Sequence, residues 1–145
     1  MGFALAADSK RMVIRNTKQR QIIHQVLTDA DRPLSVEEIL KAAQRETPSL
    51  GIATVYRNVK GLVEDGNAVV VDLPGEGPRY ELAGKGHHHH FRCSSCAKVF
   101  ETKACVGRLR DLVPRQFEIT GHNLVLYGRC ADCTKAKKLI KSAKR

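Results

Sequence analysis

The sequence predicts an α+β chain in two parts, a winged helix followed by a small unit rich in cysteine and histidine. Three observations carry that expectation. Three amphipathic helical stripes and a strand–turn–strand ribbon fall between residues 17 and 82. The composition shifts at His87, where a run of four histidines begins. Beyond the shift lie two C-x2-C pairs, Cys93/Cys96 and Cys130/Cys133.

Residues 17–30, TKQRQIIHQVLTDA, place Ile22, Ile23, Val26, Leu27 and Ala30 on one stripe of a helix. Thr17 is the expected N-cap, and Pro33 blocks continuation. Ser35 opens SVEEILKAAQRE, with Glu38 three residues on, the spacing of a capping box. Val36, Ile39, Leu40 and Ala43 form its apolar face. The third helix, IATVYRNVKGLVEDG, carries Ile52, Val55, Val59, Leu62 and Val63 on its apolar stripe. Thr54, Tyr56, Arg57 and Asn58 fall off that stripe, toward water or a partner. Gly66 is the expected cap. AVVVDL and RYEL then flank PGEGP, whose Pro and Gly mark a turn. In helix-turn-helix logic the last helix before such a wing is the one that enters the major groove.

From His87 onward, FRC and KVFE are expected strands around a CSSC knuckle. ACVGRLRDLV is an expected short helix with Val106, Leu109, Leu112 and Val113 on one face. FEITG and HNLVLYGRC alternate like strands. The boundary between the parts is placed at 83–86, and residues 135–145 are expected to be a solvated, frayed basic tail.

The chain has 145 residues, with 25 Lys+Arg against 15 Asp+Glu and a net charge of +10. That balance favours an anionic partner, with nucleic acid first. The charge is uneven. Residues 1–86 hold 12 basic and 11 acidic side chains, and residues 87–145 hold 13 and 4. Six of the basic residues sit in the last 11 positions, and Lys10, Arg11, Arg15, Lys18 and Arg20 form a second cluster. Apolar runs are too short to span a bilayer. Met1–Ala7 lacks a basic leader, so no export signal is expected. With five cysteines, an odd number, a disulfide framework is disfavoured, and thiolate chemistry in the reducing cytoplasm is expected.

The two C-x2-C pairs, 33 residues apart, can supply four thiolates to one tetrahedral ion, and zinc suits such a set. A closed four-sulfur site has no open position, so its role is structural. In the histidine run, strand alternation turns His88 and His90 one way and His87 and His89 the other, so one run can feed two sites. Glu81 and Glu101 flank the run and complete a mixed nitrogen–oxygen set with His88 and His90. That set accepts zinc, ferrous iron or manganese. Metalloenzyme signatures are missing, both H-E-x-x-H and the H-x-E…P-C-x-x-C of zinc deaminases. No catalytic residues are expected.

Taken in order, TKQR at 17–20, GIATVYRNV at 51–59, RYEL at 79–82, HHHHFRCSSC at 87–96 and HNLVLYGRCADC at 122–133 resemble the ferric uptake regulator family of metal-dependent bacterial repressors. The resemblance covers roughly residues 12–134. It implies a winged-helix DNA-binding domain over 1–82, a hinge at 83–86 and an α+β dimerisation domain with structural zinc over 87–134. It also implies homodimers on inverted repeats in double-stranded DNA, with no membrane partner. Tyr56 and Arg57 are expected in the major groove and Arg15 in the minor groove, with Lys18, Arg20 and Thr54 beside them.

The resemblance assigns Cys93, Cys96, Cys130 and Cys133 to structural zinc, and Glu81, His88, His90 and Glu101 to a regulatory site at the hinge. The family's usual fifth ligand there, a histidine, is replaced by Arg32. His24 and Asp72 are open alternatives. A further family site is matched by His87, His89 and His122, with Cys105 where a glutamate is usual. One thiolate with three imidazoles is zinc chemistry, so zinc is the expected effector. Iron or peroxide sensing, with Fe2+ or Mn2+ at the hinge, is the alternative. A zinc-stabilised DNA-binding protein with no metal response is another.

Overall fold

The computed structural model describes residues 17–143. Arg15, expected at the minor groove, and the last two residues of the tail lie outside the described residues. Helix α1 spans Lys18–Ala30, and the Thr17 hydroxyl accepts the Arg20 N–H at 3.3 Å. Asp31, with φ at 46°, ends it in the left-handed conformation. Helix α2, Val36–Ala43, opens with both halves of the capping box. Glu38 N–H donates to Ser35 Oγ at 3.3 Å, and Ser35 N–H donates to Glu38 Oε2 at 3.0 Å. Helix α3 spans Ile52–Glu64. The three helices close over Ile23, Leu27, Ile39, Val55, Val59 and Leu62, all buried. Ile52, expected on the apolar stripe, is instead exposed, because it is the first residue of α3 and lies beyond the reach of the core.

Strands β1, Ala68–Val71, and β2, Arg79–Leu82, pair antiparallel, with Ala68 opposite Leu82. Leu34 and Tyr80 exchange two backbone hydrogen bonds, of 2.9 and 2.8 Å, which stitches the segment between α1 and α2 onto the ribbon. This is a winged helix. Arg20 is buried against α3, where its guanidinium pairs with Asp65 and reaches the Gly61 carbonyl at 3.5 Å. A Cβ at Gly61 would lie 2.9 Å from that guanidinium, so the glycine makes room for it.

The second sheet holds β3, His89–Cys93, between β4, Val99–Thr102, and β5, Val125–Gly128. The β3–β4 pairing is antiparallel and the β3–β5 pairing parallel. The ribbon packs directly on this sheet through Val71 and Leu73, which meet buried Val99. The chain is therefore α+β, a winged helix joined to a small mixed sheet.

Three expected elements differ. ACVGRLRDLV forms only a 3-10 turn over Leu109–Leu112, and Val106 and Leu112 are exposed. A short helix needs a face to bury, and among the described residues this one meets none. FEITG forms no strand, since β4 and β5 are the sheet edges and neither reaches it. The expected tail is instead mostly helical. Helix α4 runs Ala131–Ala143, started at the second cysteine knuckle and carried by Ala, Lys and Leu, which favour helix. No helix among the described residues is long and apolar enough to cross a membrane.

A polar clamp joins the two parts. Glu38 accepts from Arg32 at 2.9 Å and from Arg79 at 2.7 Å. Arg79 also donates to the Ala97 carbonyl at 2.7 Å, and Arg32 reaches the Val99 carbonyl at 3.4 Å. Burial raises the Glu38 pKa, but the Arg32 hydrogen bond, the Ser35 N–H and the arginine charges outweigh it and hold the carboxyl below its usual value. Its stabilisation is therefore present above the ordinary glutamate pKa and is lost as pH falls through the depressed folded value. Glu38→Ala removes the side-chain half of the capping box and takes the shared carboxylate from Arg32 and Arg79, leaving Arg79 only the Glu76 carboxylate. It is expected to cost about 2–4 kcal/mol, read as a lower midpoint of thermal unfolding at neutral pH. An unchanged midpoint would remove the clamp from the account.

Candidate metal centres

The first group is built by the β3–β4 turn and the start of α4. Cys93 and Cys96 sit on the turn, and Cys130 and Cys133 bracket the helix start. The four Sγ atoms all lie within 4.8 Å of one another. Cys96 and Cys130 are 3.8 Å apart. Two sulfurs bound at about 2.3 Å to a tetrahedral ion are separated by about 3.8 Å, whereas a disulfide needs about 2.05 Å. All five cysteines are free thiols. The N–H of Cys130 donates to Cys93 Sγ at 3.3 Å, and this and neighbouring N–H groups lower the Cys93 thiol to about 6. Hydrogen bonding with Cys130, together with burial, pushes Cys133 up to about 12. Four crowded thiols resist ionising together, and a dication removes that conflict. The set fits zinc. Ala97 closes the turn with φ at 59°, costing roughly 1–2 kcal/mol, and its carbonyl is the one that Arg79 holds.

The second group brings together His87, His89, Cys105 and His122, whose donor atoms also lie within 4.8 Å of one another. The three Nε2 atoms are 3.1–3.2 Å apart. Cys105 Sγ is 3.4 Å from His89 and 3.1 Å from His122. Ligands bound at about 2.0–2.3 Å to one tetrahedral ion stand at close to these separations. Burial, and then the His87 and His122 imidazoles, push the His89 pKa down, so the ring presents a lone pair.

The third group is Glu81 on β2 with His88 and His90 on the other side of the hinge. The Glu81 side chain is only 3% exposed. His88 Nδ1 lies 2.7 Å from the Gly86 carbonyl, which can only accept, so Nδ1 carries the proton. Its Nε2 then faces Glu81 Oε1 at 2.8 Å, lone pair to lone pair unless a proton or a cation stands between them. Glu81 Oε2 and His90 Nε2 are buried without hydrogen-bond partners. Such orphaned buried atoms, each able to offer a lone pair, fit a divalent cation. Burial raises the Glu81 pKa, but His90 and His88 outweigh it and keep the carboxylate ionised. A cleft of about 580 Å3 between the ribbon and β5 opens onto this group.

The expected fourth member, Glu101, is not in this group. Its carboxylate is turned to Lys85 Nζ at 2.6 Å, a residue that sequence reasoning passed over. Its one signal was a lone cation between two glycines, amid acids. Arg32 does not face the group either. It takes Glu38 and the Val99 carbonyl, 5.8 Å from the Phe100 ring centre. His24 is exposed beside Arg20, away from the group, and Asp72 lines the same cleft without joining the converging donors.

On the face of α3, Tyr56 and Arg57 are exposed and Thr54 is half-buried, with Arg57 Nη2 3.5 Å from the Thr54 hydroxyl. Lys18 is exposed at the start of α1. Arg20, expected beside them, is committed to Asp65 and has no free guanidinium to offer.

Residues 11–127 match the model of the ferric uptake regulator family. The chain is similar to the ferric uptake regulation protein of Campylobacter jejuni, at 34% identity over 88% of this chain and 85% of that protein. Among solved structures it is similar to the ferric uptake regulator of Helicobacter pylori, described as having three functional metal-binding sites. That likeness has a TM-score of 0.66 and 30% identity, over 83% of this chain and 82% of that one. It is also similar to a zinc-bound manganese uptake regulator, with a TM-score of 0.70 and 29% identity, over 81% of this chain and 91% of that one.

Proposed function

The chain belongs to the ferric uptake regulator family, and from that membership we propose that it is a homodimeric, metal-responsive repressor that binds inverted repeats in double-stranded DNA. The observation that carries the metal response is the group of Glu81, His88 and His90, with two orphaned buried atoms, at the joint between the winged helix and the second sheet. Cys93, Cys96, Cys130 and Cys133 hold structural zinc. His87, His89, Cys105 and His122 hold a second zinc. Glu81, His88 and His90 form the regulatory site, which Glu101 can join.

A divalent cation at the hinge supplies a fixed positive charge that rewards one domain orientation. Glu81 brings the wing strand to it, and His88 and His90 bring the start of β3. Their convergence sets how far apart the two recognition helices of a dimer stand. Tyr56 and Arg57 read the major groove, with Thr54 beside them, while Lys18 and Arg15 contact the backbone and the minor groove. Dimerisation is supported by exposed Leu126 and Tyr127 on β5, an edge strand, and by exposed Phe117.

Zinc is the proposed effector, because a thiolate among three imidazoles favours it over ferrous iron or manganese. Iron is supported by the two ferric uptake regulators among the similar proteins and by the carboxylate at the hinge, and manganese by the manganese uptake regulator. Metal analysis of protein purified without added metal, coupled to operator titrations with zinc, ferrous iron and manganese, decides between them. Equal operator affinity with and without metal would sink the proposal. Cys105→Ser is expected to lose one zinc per chain and shift the zinc response to higher concentration. A variant with full zinc content and an unchanged response would remove the case for that cysteine.

A further inference from the structure

The hinge carries a cation of its own. Lys85 Nζ lies 2.6 Å from Glu101 Oε2, 3.2 Å from Asp31 Oδ1 and 3.9 Å from Glu81 Oε2. Those carboxylates come from three places, namely the cap of α1, the wing strand β2, and β4 of the second sheet. One ammonium thus spans the joint that the Glu81, His88 and His90 group also spans. The backbone is shaped to deliver it. Gly84 takes φ of 80°, which an L side chain rarely adopts, and the next residue turns back onto the acids. The Lys85 side chain is only 19% exposed, so this is not a surface pair.

Glu101 has two claimants. It stands directly across from His90 in the β3–β4 register, on the same side of the sheet. Its carboxylate therefore has the reach to complete the Glu81, His88 and His90 group. In the structure it serves Lys85 instead. The same side chain cannot satisfy both at full strength.

We propose that Lys85 is a built-in competitor of the regulatory cation: by holding Glu101 it lowers the affinity of the hinge site for divalent metal. The proposal rests on the reading of Glu81, His88 and His90 as a metal site. Metal must displace the Lys85–Glu101 pair to gain its fourth ligand, so the site answers only at a higher metal concentration. In the metal-free protein the pair ties Asp31 to Glu101, so the hinge exchanges one cation for another.

The test uses full-length protein whose cysteine-containing sites are first filled with zinc. It is titrated with Mn2+, and free Mn2+ is read by electron paramagnetic resonance. Lys85→Met and Lys85→Gln are expected to bind Mn2+ at least about tenfold more tightly than the natural chain. Lys85→Arg, which keeps the charge, is expected to stay weak. In Lys85→Met/Glu101→Gln the gain is expected to vanish, because the released carboxylate is gone. Thermal unfolding and zinc content check that each variant is folded. Equal affinity in the natural chain and both neutral variants would overturn the proposal. So would a gain that survives in the double variant, since Lys85 would then act as mere charge. Absence of Mn2+ binding in every chain would overturn it as well. Failure of the wider functional reading shows separately, as operator affinity that ignores metal while Mn2+ is bound.

Discussion

Glu81→Gln and His88→Ala are expected to leave the fold intact and erase the metal dependence of operator binding. Coupling between an effector and a distant ligand is typically worth 5- to 150-fold in affinity, and that ratio should fall to near one in either variant. Glu81→Gln is the sharper of the two. It keeps the size of a side chain that is only 3% exposed and removes the charge that makes its oxygens good ligands. In the natural chain Glu81 has a buried oxygen without a partner, and His88 presents a nitrogen whose proton is committed to the opposite side of the ring. Both features are costly unless a cation uses them. Gel-shift titrations with and without metal, on the natural chain and the two variants, give the measurement. A variant that keeps the full metal response would move the sensing role to the Cys105 group.

Cys96→Ser or Cys130→Ser is expected to have the largest effect on stability. Structural zinc in small sites contributes on the order of 10 kcal/mol of apparent folding free energy at neutral pH, about as much as a whole domain of this size holds. The second sheet has a small core of its own, centred on Val99 with Val71 and Leu73 of the ribbon. The cysteines pin the β3–β4 turn to the start of α4, beyond the point where the β3–β5 pairing ends at Cys93 and Gly128. Loss of one thiolate should release one zinc per chain and melt this unit at room temperature, while the three-helix core around Ile23 and Ile39 persists. Metal content and a two-stage thermal denaturation curve would show it. Natural zinc content with an unshifted transition in the serine variants would refute a structural role for the site.

The helices were the most legible part of the chain. The 3.6-residue stripe in TKQRQIIHQVLTDA and the Ser35–Glu38 box are local signals, and local hydrogen bonds satisfy them. FEITG and ACVGRLRDLV carry equally plain patterns but realise them poorly. A strand needs a neighbour and a short helix needs a face to bury, and among the described residues no segment provides either. The C-terminal residues are solvated, as their charge suggested, but not frayed: Lys and Ala are good helix formers once the Cys130 knuckle has started the turn.

The charged residues teach a second lesson. Arg20 sits in a basic cluster and invites a DNA role, yet α3 offers it Asp65 and the space at Gly61. Arg32 stands where a ligand was expected and is spent on Glu38 and a backbone carbonyl. Sequence shows that a guanidinium is present but not which way it points, because its direction depends on partners 6 to 67 residues away.

The sequence alone determined the donor chemistry. Residue type decides which atoms can be thiolate, imidazole or carboxylate ligands, and strand alternation decides which histidines share a side. With the family resemblance, which alone placed Cys105 and His122, that sufficed to sort the twelve candidate ligands into three sets. Only the tertiary structure decided which sets close. Eleven donors converge in three groups, and the twelfth, Glu101, is held by Lys85. The physical reason is competition. A carboxylate goes to whichever cation the fold brings within reach, and that choice is made by the glycine-flanked bend at Lys85 and the β3–β4 register, not by Glu101 itself.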